Sequence, residues 1–203
     1  MSNIVIVNAK RSAIGKFLGS LSGLSSVEIG SSVLNSLINS TNIKKSEIDE
    51  VIMGQVLTGG HGQNPARQTM MLSEIPYEKS AVTINQVCGS GLRAITIGAQ
   101  SILSGQSEIV IAGGQESMSN SHHTANIRNG IKMGDGSLKD SMIVDGLWCA
   151  MNDYHMGTTA ENIAEKYKIS KEEQDSFAVA SQNKAEKAQK EGYFKKEICP
   201  INI

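Results

Sequence analysis

Across the first 115 residues, short β-branched runs alternate with amphipathic stretches, and this rhythm narrows the possible folds more than any other feature of the chain. Ile4–Val7 is a continuous Ile/Val run, as expected of a strand buried on both faces of a sheet. Ser25 and Glu28 stand at capping-box spacing, and Gly30, Val33, Leu34, Leu37 and Ile38 follow at helical intervals. A second strand is predicted over Val51–Leu57. Asn64-Pro65 then opens a short helix running to about Ser73, with an N-cap beside a proline at the first helical position. The pattern repeats with a strand at Ala81–Val87, a helix carrying Leu92, Ile95, Ala99, Ile102 and Leu103 on its inner face, and a strand at Glu108–Gly114. Each connection is long enough to hold a helix. The expected fold is therefore α/β, with a mostly parallel mixed sheet covered by helices on both faces and a loop region inserted after it.

The strand ending at Val87 meets a cysteine, and the turn Gly89-Ser90-Gly91 leads directly into a helix. At a helix N-terminus, unpaired N–H groups and the helix dipole favour thiolate over thiol, which makes Cys88 a candidate for covalent catalysis. Free cysteine is also among the most buried residue types, so a small apolar side chain at a strand-to-helix junction is the competing reading. In open α/β sheets, sites form where strands end and helices begin, and Cys88 stands at such an end.

Composition excludes several classes of partner. With 19 basic and 20 acidic residues the net charge is −1, which provides no footprint for nucleic acid or an anionic membrane. No stretch approaches the ~20 apolar residues of a membrane span, and the N-terminal apolar run is too short for a signal-peptide core. The three cysteines, Cys88, Cys149 and Cys199, form no C-x-x-C pair, as expected of free thiols in a reducing cytoplasm.

From Gln115 to about Asn152 the periodicity disappears. Met118, Met133, Met142, Leu147 and Trp148, dispersed along it, predict a loop that packs rather than a disordered linker. His122-His123 has no cysteine or carboxylate at ligand spacing beside it, and a solvated pair is expected there rather than zinc. Thr158 and Glu161 predict a capping box opening a helix with Ala160, Ile163, Ala164 and Tyr167 on one face. Ser170 and Glu173 predict a second, running to about Lys190 with Phe177, Ala178, Ser181, Ala185 and Ala188 inward. These boundaries divide the chain into a core at 1–115, a loop region with two helices at 116–192, and the start of a strand at 193–203.

The segment Asn85-Gln86-Val87-Cys88-Gly89-Ser90-Gly91-Leu92 resembles the acyl-carrying cysteine motif of the thiolases, closest to those that make acetoacetyl-CoA. Four further blocks match in order: Gly62–Gln68, Gly113–Ser119, Tyr154–Asn162 and Glu172–Ala178. The ketoacyl synthases, which share the fold, surround their cysteine differently and lack the Tyr-His-Met-Gly block. The resemblance implies an acyltransferase in which Cys88 takes an acetyl group from acetyl-CoA and a second acetyl-CoA accepts it, or the reverse thiolysis. It also implies that the Cys88 N–H helps to bind the acyl oxyanion, and that Leu147, His155 and Met156 line the pantetheine end of CoA. Read without the resemblance, His155 and Met156 are ordinary packing residues beside a capped helix. No cofactor or metal is implied, since the CoA thioesters are substrates. The expected partners are acetyl-CoA, CoA, further copies of the chain and a C-terminal thiolase half. That half carries the family's Gly-His-Pro, Asn-Glu-Ala-Phe and Cys-x-Gly motifs, none of which occurs in these 203 residues. The expectation is a nucleophile-bearing half of the enzyme without turnover on its own. The alternative is a truncated, non-catalytic remnant or subunit that folds or binds CoA only beside the other half.

Overall fold

A computed structural model describes residues 4–203. Two compact units emerge, one comprising the chain up to Gly146 together with Cys199–Ile203, the other Leu147–Ile198. The first is built on a three-stranded parallel sheet in the order β2-β1-β3, with β1 at Glu50–Gly54, β2 at Ser80–Ile84 and β3 at Val110–Gly114. The register sets Val51 beside Ala81 and Ile111, and Ile52 beside Val82 and Ala112. Alternate residues therefore face opposite ways.

Val51, Met53 and Ile111 join Leu34 and Ile38 of α1 (Ser26–Asn39) and Ala66 and Met70 of α2 (Pro65–Leu72) in the principal core. Glu50, Ile52, Val110 and Ala112 point to the other side, where α3 (Ser90–Leu103) lies. Helices on both faces of a parallel sheet are the predicted architecture. The Ser25 capping box is formed, with the Ser25 hydroxyl accepting from the Glu28 N–H while Glu28 accepts from Ser25. Asn64 caps α2 with Pro65 at the first helical position. Asp49, just before β1, accepts the Glu108 and Ile109 N–H groups at 2.8 and 3.1 Å and so fastens the entrance to β3.

Several expectations are corrected. Ile4–Val7 is not a buried strand: it joins no ladder, and its side chains are 37–77% exposed. A strand needs a neighbour, and among the described residues the sheet stops at β2 and β3. Second, the strands predicted over Val51–Leu57 and Ala81–Val87 end at Gly54 and Ile84, where the chain turns off to build loops.

Third, α3 does not bury Leu92, Ile95, Ala99, Ile102 and Leu103. Its buried residues are Ser90, Ala94, Gly98 and Ser101, while Leu92 is 74% exposed. The cause is steric. A β-carbon on Gly98 would already lie 3.1 Å from the Val110 side chain, so only small residues fit so close to the sheet. Proximity has selected the face, against the hydrophobic pattern.

Following β3, the chain makes the small antiparallel pair β4 (His123–Thr124) and β5 (Lys139–Asp140), and a π-helical turn at Met142–Leu147. Cys199 returns to the first unit, donating its N–H to the Arg11 carbonyl at 2.9 Å.

The second unit contains the hairpin β6 (Trp148–Cys149) and β7 (Tyr154–His155), then α4 (Met156–Tyr167) and α5 (Lys171–Lys190). The Ser170–Glu173 capping box is present. The fourth correction concerns the inner face predicted for α5: the helix has no buried residue, and Phe177 is 78% exposed. Apolar side chains of α4 and Ile169 instead line a shallow groove with Met156 and Gln174. No described helix is long and apolar enough to cross a membrane.

Candidate active site

Cys88 stands where β2 gives way to α3, and its thiol is exposed. The turn beneath it is built from side chains as much as backbone. Asn85 Oδ1 accepts the Val87 N–H at 2.8 Å, an Asx-turn that bends the chain off the end of β2. The Ser90 hydroxyl accepts the Gln86 N–H at 2.8 Å and donates to the Val87 carbonyl at 2.7 Å, pinning both sides of the turn. The Gly89 and Ser90 N–H groups close it on the Gln86 and Val87 carbonyls. Val87, a β-branched residue, is held at φ +48°. That conformation is strained.

α3 is seated by glycine. A β-carbon on Gly54, at the end of β1, would lie 2.6 Å from Ser90 Cβ and 2.8 Å from the Gly91 nitrogen. One on Gly114, at the end of β3, would meet Gly91 Cα at 3.4 Å. The first turn of α3 therefore rests on the carboxyl ends of two strands, and Cys88 sits beside this rim. A buried chain of side chains joins α2 to the loops that follow β3 and β1: Thr69 donates to Gln115 Oε1 at 2.7 Å, and Gln115 donates to Gln55 Oε1 at 3.0 Å. Glu116 accepts the Val56 and Leu57 N–H groups at 2.8 and 3.3 Å. Burial pushes its carboxyl above the usual range, against the pull of those two donors. Gln55 links the network to β2 by donating its N–H to the Ile84 carbonyl at 3.0 Å.

The other candidates lie in the second unit. Leu147 ends the π-helical turn, His155 closes the hairpin, and Met156 begins α4. Trp148 pairs with His155, so the antiparallel register carries Leu147 and Met156 to the same end of the hairpin. The helix start is a correction: α4 is capped by His155, whose Nδ1 accepts the Gly157 N–H at 3.0 Å, and not by the predicted Thr158–Glu161 box. With Nδ1 accepting, the neutral ring carries its proton on Nε2, which makes that edge a donor. Cys149 accepts a hydrogen bond from Asn152 Nδ2 at 3.1 Å. That contact and neighbouring backbone N–H groups draw its thiol below the ordinary range.

Among the described residues no three His, Cys, Asp or Glu side chains are placed to share a metal ion. Sequence reasoning placed Asn85, Ser90 and Glu116 within matching blocks but assigned them no role, and it did not single out Gly54. Asn85 two residues before Val87 is a readable Asx-turn signal, whereas the bonds made by Ser90 and Glu116 and the close approach at Gly54 depend on the fold.

The family model described as "Thiolase, N-terminal domain" matches residues 4–203. An acetyl-CoA acetyltransferase of Allochromatium vinosum is 60% identical over 99% of this chain and 51% of its own length. A second, from Paracoccus denitrificans, is 56% identical over 100% of this chain and 52% of its own. A probable acetyl-CoA acetyltransferase of Escherichia coli is 51% identical over 99% and 51%. The chain thus spans about half the length of the curated relatives it matches.

Proposed function

The chain belongs to the thiolase family, matching its N-terminal domain throughout, and from that premise we propose that it is the nucleophile-bearing half of an acetyl-CoA acetyltransferase. The observation that carries this reading is the exposed Cys88 thiol on a strained turn at the carboxyl rim of a parallel sheet.

In the proposed reaction the Cys88 sulfur attacks the thioester carbonyl of acetyl-CoA. The carbon–sulfur bond to CoA breaks, CoA leaves as a thiol after taking up a proton, and the acetyl group stays on Cys88. A second acetyl-CoA loses an α-proton to a base, and its carbanion attacks the acetyl carbonyl. Acetoacetyl-CoA departs as the Cys88 thiolate is released, and thiolysis runs these steps backwards. A thiolate suits both ends of the sequence, being a soft nucleophile and a good leaving group. The Cys88 N–H is assigned to the acyl oxyanion.

Leu147, His155 and Met156 are assigned to the pantetheine arm of CoA. Their grouping at one end of the hairpin, with the Nε2–H edge of His155 as a donor, supports that role. The functional division follows the chemistry, with residues 1–115 as the acyl-accepting core and 116–192 as the CoA-facing loops and helices; residues 193–203, expected to begin a strand, form turns up to 197 and a single bridge at 198 instead. The α-carbon base is assigned to a C-terminal thiolase half, and the working enzyme to a cytoplasmic homo-oligomer.

The test is acetyl transfer. Incubated with acetyl-CoA beside a separately produced C-terminal thiolase domain, the chain should gain one acetyl group, mapped by peptide mass to Cys88 and absent from Cys88→Ala. Acetylation elsewhere, or none, overturns the assignment. The 203-residue chain alone should show no steady-state thiolysis of acetoacetyl-CoA above the Cys88→Ala background. Turnover by the isolated chain would refute the dependence on a second half.

A further inference from the structure

The stretch between β3 and the second unit leaves the core as an arm, residues 123–140, whose apolar residues are exposed: Ile127, Ile131, Met133 and Leu138. The chain leading into the arm is fastened by Asn120, which donates to the Ser22 and Leu24 carbonyls at 3.0 and 2.8 Å. The next attachment is a pair of imidazoles. The His61 ring, from the loop after β1, and the His122 ring, at the base of the arm, lie with centroids 4.8 Å apart and planes tilted by 42°.

We infer that His61 and His122 form a proton-sensitive clasp that holds the arm to the core while the His61 ring is uncharged, and releases it on acidification.

Four observations fix the closed state. His122 Nδ1 lies 2.8 Å from the Gly59 carbonyl, and because a carbonyl only accepts, that nitrogen carries hydrogen. The loop is moulded on the ring: Gly60 adopts φ +80°, and a β-carbon there would lie 2.4 Å from His122 Nδ1. The loop in turn is tied to α2, since Gln68 donates to the His61 carbonyl at 2.9 Å. On the arm side, the Ser141 N–H reaches the His122 carbonyl at 3.1 Å, so the ring's position is coupled to the closure of the hairpin.

The charges around the clasp do not neutralise it. On the arm, His123 Nε2 and Asp140 Oδ2 face each other at 4.0 Å. On α2, the Arg67 guanidinium is occupied by the Lys79 and Tyr77 carbonyls. Among the described residues the charge that bears on His61 is that of His122. Burial, the larger influence, and the repulsion of His122 hold His61 below the ordinary histidine value of 6.5. The sign follows directly. Well above 6.5 the His61 ring is neutral whether the clasp is open or closed, and pH has no leverage through it. As pH falls through that value the open arm takes up a proton that the closed clasp resists, so opening gains until the clasp's own lowered value is passed.

Hydrogen exchange by mass spectrometry on peptides spanning residues 121–141, between about pH 5.5 and 7.5, tests this with intrinsic rates factored out and a chelator present. Protection of the arm should fall on acidification, by up to about tenfold for each unit of depressed titration. His61→Phe keeps a ring but cannot charge and should make arm protection independent of pH, whereas His122→Asn keeps an N–H donor for Gly59 and removes only the smaller influence on His61, so it should weaken the pH dependence without abolishing it. A wild-type arm whose protection is flat across the range, or variants that retain the wild-type acid loss, would overturn the inference.

Discussion

Gly54, the last residue of β1, lies so close to Ser90, the first of α3, that a single methyl group at Gly54 would come within 2.6 Å of Ser90 Cβ and 2.7 Å of its carbonyl carbon. The obstruction is partly backbone, so no rotamer relieves it, and α3 must withdraw from the sheet. Gly54→Ala should therefore cost about 1–3 kcal/mol in urea unfolding, the range for overpacking a tight contact. Because α3 carries the Cys88 turn, the variant should also change the alkylation rate of Cys88 while leaving that of Cys199 within error. A variant as stable as wild type would show that the contact is not tight.

Much of the architecture is legible in order and spacing. The alternation of β-branched runs with capped helices is realised as a parallel sheet between helices, and the Ser25, Asn64 and Ser170 caps are all formed. The burial of α3 was not legible, because periodicity measures hydrophobicity whereas the decision was made by distance. Ala94, Gly98 and Ser101 fit against the sheet, and Leu92 and Leu103 do not. Cys88 was legible as a site from its junction, yet its support was not. Ser90 pins the turn through bonds to Gln86 and Val87 that depend on the fold, and Glu116 reaches Val56 and Leu57 across some 60 residues of sequence.

Val87 holds φ +48° although its branched side chain disfavours that region. Such strain costs about 1–3 kcal/mol, and glycine would remove it at the expense of a more flexible unfolded chain, about 1 kcal/mol. Val87 is nearly half exposed, so little burial is lost. Val87→Gly should leave stability unchanged or raise it by about 1 kcal/mol. Its thermal unfolding midpoint is the measurement, and a clear destabilisation would mean that Val87 packs more usefully than its exposure suggests.

Glu116 makes a pH-dependent contribution of unusual sign for a hydrogen-bonded carboxylate. Burial outweighs the Val56 and Leu57 donors and raises its carboxyl above 4.5, so between that value and its folded one the native state holds a proton that the unfolded chain has lost. Stability from this group is therefore present at low pH and lost as pH rises through the folded value. Glu116→Gln resembles the protonated acid throughout. Urea unfolding of both proteins across the acid range should show the variant gaining on wild type as pH rises, and a constant difference would contradict the raised carboxyl.

The three thiols should separate by reactivity, because access and ionisation act on different members of the set. Cys88 is exposed, Cys199 is 4% exposed, and Cys149 is 9% exposed although Asn152 favours its thiolate. Alkylation needs both a thiolate and a path for the reagent. A nearly buried sulfur forfeits the advantage of easier ionisation, because the reagent reaches it only when the hairpin opens. Limited iodoacetamide labelling followed by peptide mapping should modify Cys88 first, Cys149 next and Cys199 last. Equal rates at Cys88 and Cys199 would mean that the turn at the end of β2 shields its sulfur, which would remove the geometric support for Cys88 as the acyl acceptor.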